Sequence, residues 1–85
     1  MLAAPPQGMM IGRAADQCDL VLAHGTVSRR HARLVFAGEA LQIEDQGSTN
    51  GTSVNGTDVK PGTPAVIHPG DKVRIGDIEL GVKHL

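Results

Sequence analysis

Residues 28–56 read SRRHARLVFAGEALQIEDQGSTNGTSVNG, and their pattern decides the fold class. Ala32, Leu34 and Phe36 alternate with Arg33 and Val35, and Leu41 and Ile43 alternate with Gln42 and Glu44. A period of two puts alternate residues on opposite faces of an extended strand, so each run reads as a strand with one apolar face. The stretch closes on Asn55-Gly56. That dipeptide suits a type I′ hairpin turn, which requires positive φ at both central residues.

The same signals extend in both directions. Strands are expected at 9–11, 19–22, 31–36, 41–44, 52–54, 58–59, 65–68, 72–75 and 78–82. Val73 with Ile75, and Ile78 with Leu80 and Val82, supply further alternation. Pro69-Gly70-Asp71 and Gly76-Asp77 punctuate the last hairpins. Eleven Gly and five Pro fall at short intervals between apolar runs, the spacing of an all-β sandwich or barrel. No window carries a helical stripe, and no repeat or low-complexity tract is present. Residues 1–8 read as a loose segment because Pro5-Pro6 cannot feed a central strand. Residues 9–85 form one domain.

Composition narrows the function classes. Hydrophobic residues make up 40% of the 85, yet Phe36 is the only aromatic, so the core must come from aliphatic side chains. Stacking platforms for single-stranded nucleic acid need aromatics this chain lacks. A net charge of −1 is not the basic surface that duplex DNA or an anionic membrane attracts. No run approaches the ~20 apolar residues of a membrane span. The opening MLAAPPQGMM lacks the charged and apolar regions of a secretory signal. Cys18 stands alone, which removes an intramolecular disulfide and a cysteine metal cluster. A cytoplasmic setting is the resulting expectation. His24, His31, His68 and His84 show no metal-ligand spacing, and neither a metal nor another cofactor is expected.

Charge is unevenly distributed. Residues 11–36 carry Arg13, Arg29, Arg30 and Arg33 against Asp16 and Asp19, whereas most of the acids come later. Arginine suits bidentate recognition of oxyanions. Three segments then stand out: Ile11-Gly12-Arg13, Ser28-Arg29-Arg30-His31, and Asp45 to Thr52, DQGSTNGT. The last two sit at strand–loop junctions, where polar side chains can project from one end of a sandwich. An Arg, a Ser and a Thr with backbone amides from glycine-containing turns make an oxyanion pocket.

These motifs, GR, then SRRH, then DQGSTNGTSVNG, resemble those of the forkhead-associated (FHA) domain, a phosphothreonine-binding β-sandwich. The likeness runs from about residue 10 to 80, in the right order and with fitting spacing, and GDKVRIG at 70–76 agrees with the family's late hairpin. The resemblance implies a non-catalytic module that docks phosphothreonine peptides in Ser/Thr kinase signalling. By the same resemblance Arg13 pairs with the phosphate, the Ser28 hydroxyl bonds a phosphate oxygen, and Thr49 is a second phosphate-facing position. Asn50 matches the residue that grips the peptide backbone beside the phosphothreonine, and Arg29 occupies a peptide-facing position. Gly12, His31 and Gly51 match structural supports of the site.

Other readings of these residues stand beside that one. Ser28, His31 and Asp45 could suggest a hydrolase, but no GxSxG elbow is present. Ser48 and Asn50 could tie down their own loop through side-chain-to-backbone bonds. Arg30 and Arg33 read as a solvated strand face, and Cys18 as a small buried residue. A phospho-independent assembly module on the same fold is the alternative function. It is favoured by one departure from the family pattern, which has a strand before the one ending in Gly12-Arg13. Here that strand is absent, trimmed away, or supplied by another chain. An exposed N-terminal edge would invite weak self-association.

Overall fold

The computed structural model describes residues 8–82. It is all-β, with β1 (Met9–Gly12), β2 (Leu20–Val21), β3 (Ala32–Ala37), β4 (Ala40–Asp45), β5 (Thr52–Val54), β6 (Thr57–Asp58), β7 (Ala65–Ile67), β8 (Lys72–Ile75) and β9 (Ile78–Gly81). Each expected strand is present, with ends shifted by a residue or so. The strands form two sheets, ordered β2-β1-β3-β4-β7 and β6-β5-β8-β9.

Alternation explains how the sheets pack. Ala32 and Leu34 on β3, Ile43 on β4, and Val73 and Ile75 on β8 are all fully buried, while Arg33 between the first two is exposed. Ile11 of β1 and Val27 from the β2–β3 loop complete the centre of this aliphatic core. Full burial of each such side chain is worth about 1.5–3 kcal/mol. Phe36 lies outside this core. It shares the inward face of Leu34 but lies near the end of β3, beyond the cover of the other sheet, and stays 42% exposed.

The hairpin turns follow their sequence. Asn55 has φ +51° and Gly56 φ +84°, both positive as a type I′ turn demands, and they join Val54 to its partner Thr57. Asn55 Oδ1 also accepts the Lys72 N–H at 2.9 Å, pinning the turn to the neighbouring strand.

The expected loose segment lies outside the described residues except for Gly8, which is buried against the Leu34 carbonyl. Among the described residues no strand precedes β1. Strand β1 is nevertheless not an edge, because it pairs with β2 in parallel and β3 in antiparallel. The sheets end instead at β2, β7, β6 and β9. An open edge must therefore be sought at those strands and not at the first one.

Register brings the motifs together. Ile11 pairs with Ala32, and Ala32 pairs with Asp45, so one line crosses three strands at one end of the sheet. Gly12-Arg13 leave β1 just past this line, His31 immediately precedes β3, and Gln46 immediately follows β4. Strand β5 starts at the same end of the other sheet, where Thr52 pairs with Ile75.

Candidate functional site

Three loops build the site: residues 13–19 after β1, 22–31 before β3, and 46–51 between β4 and β5. The first is tied to the second by backbone bonds, Arg13 N–H to Ser28 O at 3.0 Å and Ala14 N–H to Arg29 O at 3.1 Å. Gly12 makes this approach possible. A Cβ at residue 12 would run into the Arg29 carbonyl oxygen and come within 2.8 Å of Cys18 Sγ. Cys18 Sγ itself donates to the Arg29 carbonyl at 3.0 Å. Burial raises that thiol's pKa above its usual value, so Cys18 acts as a half-buried spacer.

Arg13 is exposed, but its guanidinium is aimed. Its Nε–H donates to the Val27 carbonyl at 3.0 Å, which leaves the terminal nitrogens facing outward. Ion pairs among the described residues are His68–Asp71, Lys72–Glu79 and Arg74–Asp77. None involves Arg13, Arg29 or Arg30. Among the described residues these three arginines therefore have no acidic partner within ion-pair distance.

Ser28 Oγ accepts the Thr49 N–H at 3.1 Å, joining the second loop to the third. The hydroxyl proton is left to donate elsewhere. Thr49 and Asn50 are exposed on the same loop. Asn50 Nδ2 donates to the Thr26 carbonyl at 2.9 Å. The amide is thereby oriented with Nδ2 inward. Arg29 is exposed beside Ser28, and its side chain makes no hydrogen bond or ion pair among the described residues.

Behind this surface His31 is fully buried. Its Nδ1 accepts the Ser28 N–H at 2.9 Å, so the ring proton is on Nε2, which donates to the Gly51 carbonyl at 2.7 Å. Asp45 organises the third loop from below. Its carboxylate accepts the Ser48 and Thr52 hydroxyls and the Gly47 and Ser48 N–H groups. Burial alone would push its pKa up, but these four bonds outweigh burial and hold the carboxyl below its usual 3.8. Ser48 ties its loop from both sides, since Oγ also accepts the Gly51 N–H at 3.1 Å.

The geometry does not support a hydrolase. His31 Nδ1 bonds the Ser28 backbone and not its Oγ, and Asp45 bonds Ser48 and Thr52 and not His31. Nucleophile, base and orienter are therefore unconnected. Arg33 lies on the solvated face, across from Glu44.

Sequence reading missed the contribution of the β8–β9 turn. Gly76 packs against Thr26, and the Asp77 N–H donates to Thr26 Oγ1 at 2.9 Å. The contact spans 51 residues of sequence, and no local pattern announces it. Beside Asn50 this turn borders a depression of about 380 Å³. The depression is floored by Ser53, Asp58 and Arg74, which are aligned across β6, β5 and β8.

Comparison with known proteins agrees with this architecture. The family model for the FHA domain matches residues 9–76. The FHA domain-containing protein FhaB of Mycobacterium tuberculosis is 48% identical over 78 residues, covering 91% of this chain and 48% of that protein. The chain spans less than half the length of the curated relatives it matches. An FHA domain solved in a study of phosphothreonine-dependent FHA interactions superposes with a TM-score of 0.83 at 31% identity, covering 99% of this chain and 81% of that one. Mycobacterium tuberculosis EmbR, solved with a low-affinity phosphopeptide, gives a TM-score of 0.81 at 34% identity over 89% of this chain and 19% of that one. Two sheets with the expected motifs at one end, a matching family model and these neighbours lead to one conclusion: the chain belongs to the FHA domain family, whose members are interaction modules.

Proposed function

We propose that this chain is a non-catalytic module that recognises phosphothreonine peptides in Ser/Thr kinase signalling. One observation carries the reading. The Arg13 guanidinium is anchored by the Val27 carbonyl and has no acidic partner among the described residues, and Ser28 projects from the adjoining loop with its hydroxyl proton uncommitted. Such a pair gives charge-assisted bonds to phosphate oxygens, each worth roughly 1.5–3 kcal/mol. Thr49 lies on the same surface, and Arg29 and Asn50 flank it to meet the peptide. The depression beside Asn50 offers a course for residues next to the phosphothreonine. EmbR, solved with its phosphopeptide, supports the reading by analogy of fold.

The test is a fluorescence-anisotropy titration with degenerate peptides carrying phosphothreonine, phosphoserine or unmodified threonine. Wild type is expected to saturate on the phosphothreonine pool and to lose that binding in Arg13→Ala. Equal binding to all three pools would refute the reading.

A second reading, phospho-independent assembly, draws on β9. Among the described residues this four-residue strand pairs with β8 alone and is longer than the other edge strands β2, β6 and β7, with Glu79 as its one charged residue. Weak self-association would then run through β9. Light scattering over a wide concentration range tests it, with Arg13→Ala expected to leave this association unchanged. A strict monomer would eliminate it.

A further inference from the structure

We propose that Thr26 is a positioning residue for phosphopeptide binding, acting through Asn50 and through the backbone that carries Arg13 and Ser28. The inference rests on the phosphothreonine reading and adds a residue that touches no ligand.

Thr26 lies half-buried in the β2–β3 loop, two residues before Ser28, and its polar groups reach two other segments as well as its own loop. Its carbonyl accepts Asn50 Nδ2 at 2.9 Å. Its Oγ1 accepts the Asp77 N–H at 2.9 Å. Its own N–H donates to His24 Nδ1 at 3.2 Å, and Oγ1 lies 2.8 Å from the same nitrogen. Because His24 Nδ1 accepts the Thr26 N–H it carries no proton of its own, so the Oγ1 proton points to that nitrogen. That nitrogen accepts from both Thr26 groups, and the His24 ring proton is on Nε2. The arrangement is the imidazole counterpart of an Asx turn, in which a side-chain acceptor captures the N–H two residues on.

Two consequences follow for the site. A carbonyl can only accept, so Thr26 O selects the Asn50 orientation with Nδ2 inward and leaves Oδ1 to accept a peptide N–H. The next carbonyl along the chain, that of Val27, holds Arg13 Nε. Movement of Thr26 therefore displaces the anchor of Arg13 and the amide of Asn50 together. Gly76 closes the assembly from the other sheet, since a Cβ there would meet Thr26 within 2.8 Å of Oγ1.

The experiment compares affinity for the phosphothreonine pool among Thr26→Val, Thr26→Ser, His24→Ala and His24→Asn, each checked for folding by thermal unfolding. Thr26→Val removes the oxygen and is expected to weaken binding about 5- to 10-fold, the effect of one or two lost hydrogen bonds. Thr26→Ser keeps the oxygen and should stay within about 2-fold of wild type. His24→Ala should weaken binding about 3-fold, and His24→Asn, which retains an acceptor, should restore it. His24 is exposed, so its variants probe the arrangement even if Thr26→Val fails to fold. In an Asn50→Ala background Thr26→Val should cost less than it does in wild type, because one of the two routes is already broken. Wild-type affinity in both Thr26→Val and His24→Ala, or the same loss with and without Asn50, would reduce Thr26 to scaffold and overturn the inference. Absence of wild-type binding would instead sink the phosphothreonine reading and this inference with it.

Discussion

His31 Nε2 lies 2.7 Å from the carbonyl oxygen of Gly51, twenty residues away in sequence. With Nδ1 occupied by the Ser28 N–H, a single buried ring clamps two of the three loops that build the candidate site. Its removal leaves a half-buried donor and a half-buried acceptor unsatisfied, at up to about 1–3 kcal/mol for each group. His31→Ala is expected to lower the free energy of unfolding by roughly 2–5 kcal/mol, measured by urea denaturation. A loss under about 1 kcal/mol would mean that water replaces the ring without penalty.

Arg13→Ala should abolish phosphothreonine binding in practical terms, a loss of at least about 100-fold by calorimetry, because one partner of a charge pair disappears. Arg13→Lys should recover only part of it. A lysine ammonium has no Nε–H to anchor on Val27 while also presenting a planar fork.

Gly12→Ala should destabilise the domain severely. The new methyl would overlap the Arg29 carbonyl, which is backbone and cannot rotate away. Thermal unfolding is the measure, and a melting temperature within a degree or two of wild type would contradict the close packing seen between β1 and the Arg29 segment.

Asp45 sets a pH dependence. Its four hydrogen bonds hold the folded-state pKa below the usual 3.8. The unfolded chain therefore binds the proton more readily, and the stabilisation is fully present above about pH 5. It fades as pH falls through the lowered folded value. Melting temperatures recorded from pH 6 to pH 3 should drop for wild type below about pH 4 and fall less steeply for Asp45→Asn. Parallel curves would show that Asp45 does not contribute this linkage.

Binding should follow the phosphate's own titration as well. The second phosphate pKa is about 6, so affinity is expected to weaken as the dianion becomes a monoanion between roughly pH 7 and pH 5. Phosphoserine lacks one methyl, worth about 0.8 kcal/mol by transfer, or roughly fourfold. A preference for phosphothreonine well beyond fourfold would indicate a tight methyl pocket, where an unfilled void adds to the loss. Equal affinity would exclude one.

Much of this protein was legible from residue order because its signals are local. Alternation along 32–36 and 41–44 places strands, and Asn55-Gly56 names its own turn because few residues tolerate positive φ. The DQGST run also reads locally, since Asp45 captures N–H groups two and three residues ahead. Alternation puts Phe36 on the face of Ala32 and Leu34 but does not say how deeply each is covered, and Phe36 stays 42% exposed. The interior place of β1 was likewise hidden, since its parallel partner β2 follows a loop whose path no short-range rule dictates.

By itself the sequence determined the fold class and the strand set from periodicity and turn chemistry, and marked Arg13, Ser28, Thr49 and Asn50 as a candidate group through the resemblance of their motifs to the FHA family. Tertiary structure alone decided how those residues are held: Arg13 by the Val27 carbonyl, Ser28 by Thr49 and His31, Asn50 by Thr26, and Thr26 by Asp77. These bonds join atoms 14 to 51 residues apart in every case except the turn-scale contact of His31 with Ser28. Contacts at that range exist only after the two sheets have packed and the register Ile11–Ala32–Asp45 has brought three loops to one end. One partner in each bond is a backbone N–H or carbonyl, a group common to nearly all residues, so nothing in the linear order marks which will meet.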